Sequence, residues 1–162
     1  MTPRVMLVLA LLCATLPGQS GAIKAAESRT PEQVASALLD KYVAAVNAHD
    51  TSSFGEIHTE NYIQHSGRSP NGLAAQIENF RTIFARMPDV RATVEDRIIQ
   101  GDKIVARMTL TATHTQPLQG IAPTGRRFTL RIIDIWRVEN GKLAEHWDVV
   151  DTAGLQKQLR GE

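Results

Sequence analysis

The chain has 162 residues, with 18 basic against 17 acidic side chains and a single cysteine, Cys13. That near-balance excludes the broad field by which a protein gathers nucleic acid or acidic lipid, and one cysteine excludes an internal disulfide framework. The length suits one domain that holds itself by core packing.

The first segment has the order of a secretory signal peptide: Arg4, the apolar run Val5 to Leu16, then Pro17-Gly18-Gln19-Ser20-Gly21-Ala22. The run of 12 residues is short for a bilayer span. Residues 1–22 are therefore expected to be cleaved after Ala22, with 23–29 a polar leader and 30–162 the domain. The alternative is a buried apolar segment. Cleavage removes Arg4 and Cys13, leaving 17 basic against 17 acidic residues and no cysteine. The mature form is then an exported protein, periplasmic or secreted, with no membrane attachment and no affinity for nucleic acid, and its partner is a small molecule.

Thr30-Pro31-Glu32-Gln33 opens a helix, since Thr30 can cap, Pro31 fits the first turn and Gln33 completes a capping box. Val34, Leu38, Tyr42 and Ala45 recur at helical spacing, and the helix stops near Asn47-Ala48-His49-Asp50. Asp50 or Ser52 caps a short second helix carrying Phe54 and Ile57. Asn61 to His65 reads as a short extended piece, and a Gly-, Pro- and Ser-rich loop follows from Ser66 to Gly72. A third helix runs from Leu73 to Arg86 and ends before Pro88. His49 and His58 read as turn and surface residues.

From Val90 the period becomes two. Strands are expected over Arg91 to Ile99 and Lys103 to Thr115, then, after a loop over 116–125, on both sides of Asn140-Gly141, a strong hairpin signal. Because side chains alternate along a strand, Asp134 shares a face with Phe128, Leu130, Ile132, Trp136 and Val138. Asp148 likewise shares one with Ala144, His146 and Val150, and His114 follows Ile104, Ala106, Met108, Leu110 and Ala112. Asp151 caps a last helix. Three helices, a four-stranded antiparallel meander and a short helix make an α+β domain, its bent sheet folded around the helices to leave a cone with an internal pocket.

Two carboxylates on apolar faces point to acid–base chemistry. Asp148 is a general base, taking a proton from carbon beside a carbonyl, or a solvated strand-end residue, or a structural partner of Arg131 or Arg137. Asp134 either shares a proton with Asp148 or is a buried structural partner of an arginine or histidine. His114 either polarises a carbonyl or is a core histidine. Gln64, His65, His146, Tyr62 and Trp136 are the candidate substrate-binding residues. Tyr62, Trp136, Trp147 and Phe84 equally read as core or pocket wall, with Trp147 placed for a subunit interface. His65, His114, His146, Asp134 and Asp148 lack compact metal-ligand spacing, so no metal is assigned.

The strings Tyr62-Ile63-Gln64-His65, Val94-Glu95-Asp96, Gly101 to Arg107, Thr113-His114-Thr115, Gly120 to Phe128 and Glu145-His146-Trp147-Asp148, spread in order over about 30–160, resemble those of the SnoaL-like polyketide (ester) cyclases of the nuclear transport factor two-like superfamily. The resemblance implies a cone-shaped fold with a deep pocket, a homodimer or higher homo-oligomer, and intramolecular aldol ring closure on a polyketide ester without metal or cofactor. It places the family's acid–base carboxylate at Asp148. A pocket histidine of the family falls where this chain has Asp134, a departure that sets an acid beside the catalytic carboxylate. A protein that binds a small hydrophobic molecule in the same pocket without turning it over is the competing reading. A third is an assembly domain whose sheet face mediates dimers.

Overall fold

The computed structural model describes residues 29–162. The expected signal peptide and all of the leader but its last residue lie outside the described residues. Helix α1 (Pro31–Ala48) begins as the sequence implies: Thr30 Oγ1 accepts the Gln33 N–H at 3.2 Å, and Gln33 Oε1 accepts the Thr30 N–H at 2.8 Å. It buries Leu38, Leu39, Tyr42, Ala45 and Val46. Helix α2 (Phe54–Ile57) follows Ser53 without a side-chain cap. Asp50 instead accepts the Ser52 N–H and hydroxyl at 2.8 and 2.7 Å, closing an Asx turn.

The remaining elements are β1 (His58–Gln64), α3 (Leu73–Arg86), β2 (Arg91–Gln100), β3 (Lys103–Thr113), β4 (Arg127–Glu139), β5 (Lys142–Val150) and α4 (Thr152–Arg160). The expected four-stranded meander forms, but the sheet has a fifth strand. Its order is β1-β5-β4-β3-β2, with β1 parallel to β5 and the other pairs antiparallel. Pairing across such a sequence gap leaves no local turn signal, which is why β1 reads only as an extended piece. The β4–β5 turn is Asn140-Gly141, both left-handed at φ 50° and 74°, the twist-matched geometry for a two-residue hairpin.

The inner face of the sheet packs on α1 and α3 in one core that includes Leu39, Phe54, Ile57, Phe80, Ile104 and Trp136. A second cluster of Val90, Ala112, Phe128, Leu155 and Leu159 closes the end where α4 lies over β4. Asp151 caps α4 through the Gly154 N–H at 2.8 Å. Gln158 bonds both the N–H and the carbonyl of Thr129, at 2.8 and 2.9 Å, and fixes α4 to the sheet.

His58 overturns its surface reading. It is fully buried, with ring centroids 5.9 Å from Tyr42, 4.9 Å from Phe54 and 4.8 Å from Tyr62. Its Nδ1 lies 3.3 Å from the Phe54 carbonyl, which is the α2 C-terminal turn closing on the ring. Burial pulls its pKa from 6.5 down to about 4, with the nearby His146 adding to the shift. The unfolded chain therefore takes up a proton that the fold refuses, so stability is present above pH 6.5 and is lost as pH falls towards 4. At 1.36 kcal/mol per pKa unit, His58 accounts for about 2.5 kcal/mol of the loss between roughly pH 7.5 and 4.5. Urea unfolding of His58→Met at those two pH values is expected to show an acid loss smaller by about that amount. Equal losses in both proteins would show that the ring is not the acid-sensitive element.

Candidate active site

The register of three adjacent strands builds the site. Gln64 on β1 pairs with His146 on β5, and His146 pairs with Trp136 on β4. Two residues further along β5, Asp148 is directly opposite Asp134. Directly opposed side chains lie about 5 Å apart at Cβ, so the two acids are held side by side on the inner face. A bulge between Arg137 and Val138 shifts the register set by the hairpin turn by one residue and brings the two acids opposite each other.

Asp134 is 6% and His146 7% exposed. His146 donates Nε2–H to Asp134 Oδ1 at 2.9 Å, and its Nδ1 lies 3.0 Å from Gln64 Oε1. The ring is thus held between two oxygens, and the Ser66 N–H faces the same Gln64 oxygen at 3.4 Å. The ring stacks on Trp136 at 5.1 Å and 16°. His146 therefore lies on the inner face of the sheet with the two acids.

Asp148 has a side chain 5% exposed. The Arg68 guanidinium pairs with its Oδ2, whereas its Oδ1 is buried without a hydrogen-bond partner among the described residues. Its ionic partner is therefore Arg68, not Arg131 or Arg137. Arg137 is engaged with Glu145 at 2.5 Å. With Arg68, an imidazole and two carboxyl groups meet at one end of an otherwise apolar hollow.

That hollow has a volume of about 320 Å³, within the range of small-molecule sites. Asp134, His146, Asp148, Gln64 and Arg68 form its polar end. Met108, Leu110, Leu130, Ile132 and Val150 of the sheet, with Phe80 and Ile83 of α3, form much of the wall. Burial pushes the Tyr42 phenol well above its ordinary value, and the Asp134 charge adds to this. The same two causes raise Tyr62. Both rings stay neutral beside the acids.

The sequence candidates divide. Asp134, Asp148, His146 and Gln64 converge on the cavity. Tyr62 and Trp136 lie in the core cluster behind its lining. His65 faces outward, stacked on Trp147 at 4.3 Å and bonded to Glu145 at 2.8 Å. Alternation requires this, because Gln64 and His65 are neighbours on one extended stretch and only one can point inward. His114, eight residues along the chain from Ala106, the β3 partner of Asp134, is about 26 Å of strand length away from the acids. It lines a second cavity of about 170 Å³.

Sequence reasoning missed Arg68, Ser69 and Gln76, all of which line the main cavity. Gln76 had a legible signal: a glutamine in the core phase of α3, one turn before Phe80, and it is only 4% exposed. Arg68 and Ser69 come from an irregular loop, where no period indicates direction.

Asp134, His146 and Asp148 also offer three ligand atoms within 4.8 Å of one another, a donor set that suits zinc or a similar divalent ion. The Arg68 guanidinium on Asp148 opposes a second cation there.

A family profile described as SnoaL-like polyketide cyclase matches residues 36–159. The nogalonic acid methyl ester cyclase of Streptomyces nogalater is 30% identical over 128 residues, covering 72% of this chain and 90% of that protein. An aklanonic acid methyl ester cyclase of Streptomyces peucetius is 28% identical over 129 residues, covering 75% and 88%. Among solved structures, TsrD from Streptomyces laurentii superposes with a TM-score of 0.75 at 30% identity, covering 81% of this chain and 98% of that one. The sheet order, the internal cavity and these likenesses agree: the chain belongs to the SnoaL-like polyketide cyclase family.

Proposed function

We propose that the protein is a cofactor-independent cyclase that closes a ring in a small, largely apolar polyketide-like ester by acid–base chemistry. The observation that carries this reading is the state of Asp148: one carboxylate oxygen anchored by Arg68, the other buried and unpartnered at the polar end of an apolar cavity. A carboxylate so placed has a free lone pair and little water to compete for it.

Asp148 Oδ1 takes the proton from a carbon flanked by two carbonyls. The electron pair left on that carbon forms the new carbon–carbon bond to a ketone carbon of the same molecule, and the ketone π electrons pass to its oxygen as alkoxide. The His146 imidazolium gives that oxygen a proton. Asp134 holds the ring in place and stabilises its cationic form. The proton on Asp148 then returns to His146, so the product is an isomer of the substrate and both groups are restored.

The test is an aromatic ester bearing a 1,3-dicarbonyl side chain and a ketone within reach, incubated with the protein in a chelator. A ring-closed product of unchanged mass is expected. Product that forms only when a divalent ion is supplied would move the chemistry to a metal held by Asp134, His146 and Asp148. Binding without product would favour a carrier for small hydrophobic molecules.

Two further properties belong to this proposal. Export rests on the signal-like order of Arg4, Val5 to Leu16 and Pro17 to Ala22. Self-association rests on the outer face of the sheet, where Ile98, Val105, Ile135 and Trp147 form one cross-strand row and Ile133 and Val149 part of the next. Ile98, Ile133 and Val149 are 66%, 41% and 73% exposed, an apolar patch suited to a two-fold partner. Sedimentation is expected to show a dimer for the wild type and a monomer for Ile133→Glu/Val149→Glu. A wild-type monomer at micromolar concentration would remove this part.

A further inference from the structure

We infer that His114 marks a second subsite, at the far end of the cavity from the two acids, which takes a carbonyl oxygen of the ligand. His114 is 2% exposed. Its Nδ1 receives the backbone N–H of Thr124 at 3.3 Å and lies 3.0 Å from the Thr124 hydroxyl. A backbone N–H can only donate, so Nδ1 is the acceptor and the neutral ring carries its proton on Nε2. That Nε2 is buried and has no partner among the described residues. A buried donor left unpaired forfeits the hydrogen bond it had in water, so an acceptor supplied by a ligand would relieve it.

The surroundings say which ligand. The cavity of about 170 Å³ that His114 lines adjoins the main one, and the two share Asn79, Ile83, Met87, Leu118 and Phe128 in their walls. An elongated molecule reaching from the acids towards His114 would lie along these shared, mostly apolar residues. The polar groups at this second end are uncharged apart from Arg86, and the Arg86 guanidinium already donates to the Pro117 carbonyl at 3.2 Å, tying down the loop that carries Thr124. Among the described residues, no acidic side chain lines this end. The matching group is a ketone or ester carbonyl rather than a cation.

This subsite rests on reading the cavity as a substrate pocket and not on the roles given to Asp148 and His146. The probes are 2-acetylnaphthalene, which has a carbonyl acceptor, and 2-isopropylnaphthalene, which has the same outline without one. The wild type is expected to bind the ketone about fivefold more tightly, the value of one neutral hydrogen bond. His114→Phe should erase the preference, His114→Gln should keep part of it, and Asp148→Asn should leave it intact. In ¹⁵N-histidine spectra of the wild type, the His114 Nε2–H resonance should move with the ketone and not with the hydrocarbon, a readout that does not depend on any variant folding. Equal affinities, or a preference that survives His114→Phe and disappears in Asp148→Asn, would overturn the subsite alone. Failure of both compounds to bind would overturn the pocket with it.

Discussion

Asp148→Asn is expected to lower the rate of ring closure by about 10²–10⁴-fold, the usual contribution of a positioned general base. The amide keeps the shape of the carboxylate and can still accept from Arg68, so ligand affinity should change little. Stability should also hold to within about 1 kcal/mol, because the exchange removes a buried charge at the same time as it weakens an ion pair. A fall in kcat with KM nearly unchanged is the signature of a group needed only in the transition state. A variant that turns over within tenfold of the wild type would show that the proton goes elsewhere, with Asp134 the next group to test. Arg68 is the control on this argument. Its guanidinium is more than half exposed while the carboxylate it meets is nearly enclosed, so its effect is to aim the Asp148 carboxylate rather than to hold the fold together.

The apolar faces of the two acids were legible from the period, but their direct pairing was not. Asn140-Gly141 places the hairpin and alternation assigns the faces, but the register counted from the turn would set Asp134 opposite Trp147; a bulge between Arg137 and Val138 shifts it by one residue and brings Asp148 opposite. The same alternation, applied at Gln64 and His65, separates one inward residue from one outward residue. Treating both as binding candidates ignored it. Other features had no local signal. β1 joins β5 across most of the domain, and His58 becomes a core residue only because three aromatic rings from α1, α2 and β1 close around it. Arg68 reaches Asp148 from a loop whose composition predicts irregularity but not direction. His114, expected within a strand, lies one residue past the end of β3 and is buried as its phase implies, yet phase says nothing of its distance from the acids. Phase gives a side, and only the pairing gives a place.

Trp136 separates a residue that shapes the site from one that touches substrate. It is 1% exposed, with its ring centroid 5.4 Å from Tyr42 and 5.1 Å from His146. Removing a buried tryptophan side chain costs about 3–5 kcal/mol, a large share of the roughly 5–15 kcal/mol that holds a domain folded. Trp136→Ala is therefore expected to unfold at a markedly lower urea concentration than the wild type. Trp136→Phe keeps an aromatic surface under the imidazole and should recover most of that loss. Because the indole lies behind the cavity lining, the phenylalanine variant should bind ligand with nearly the wild-type affinity. Any fall in its kcat should come from a less firmly held His146, and should appear in the step that delivers the proton to the alkoxide. A large rise in KM for Trp136→Phe, with stability close to that of the wild type, would mean that the ring reaches the ligand after all and that the cavity opens further towards the core than its present walls allow.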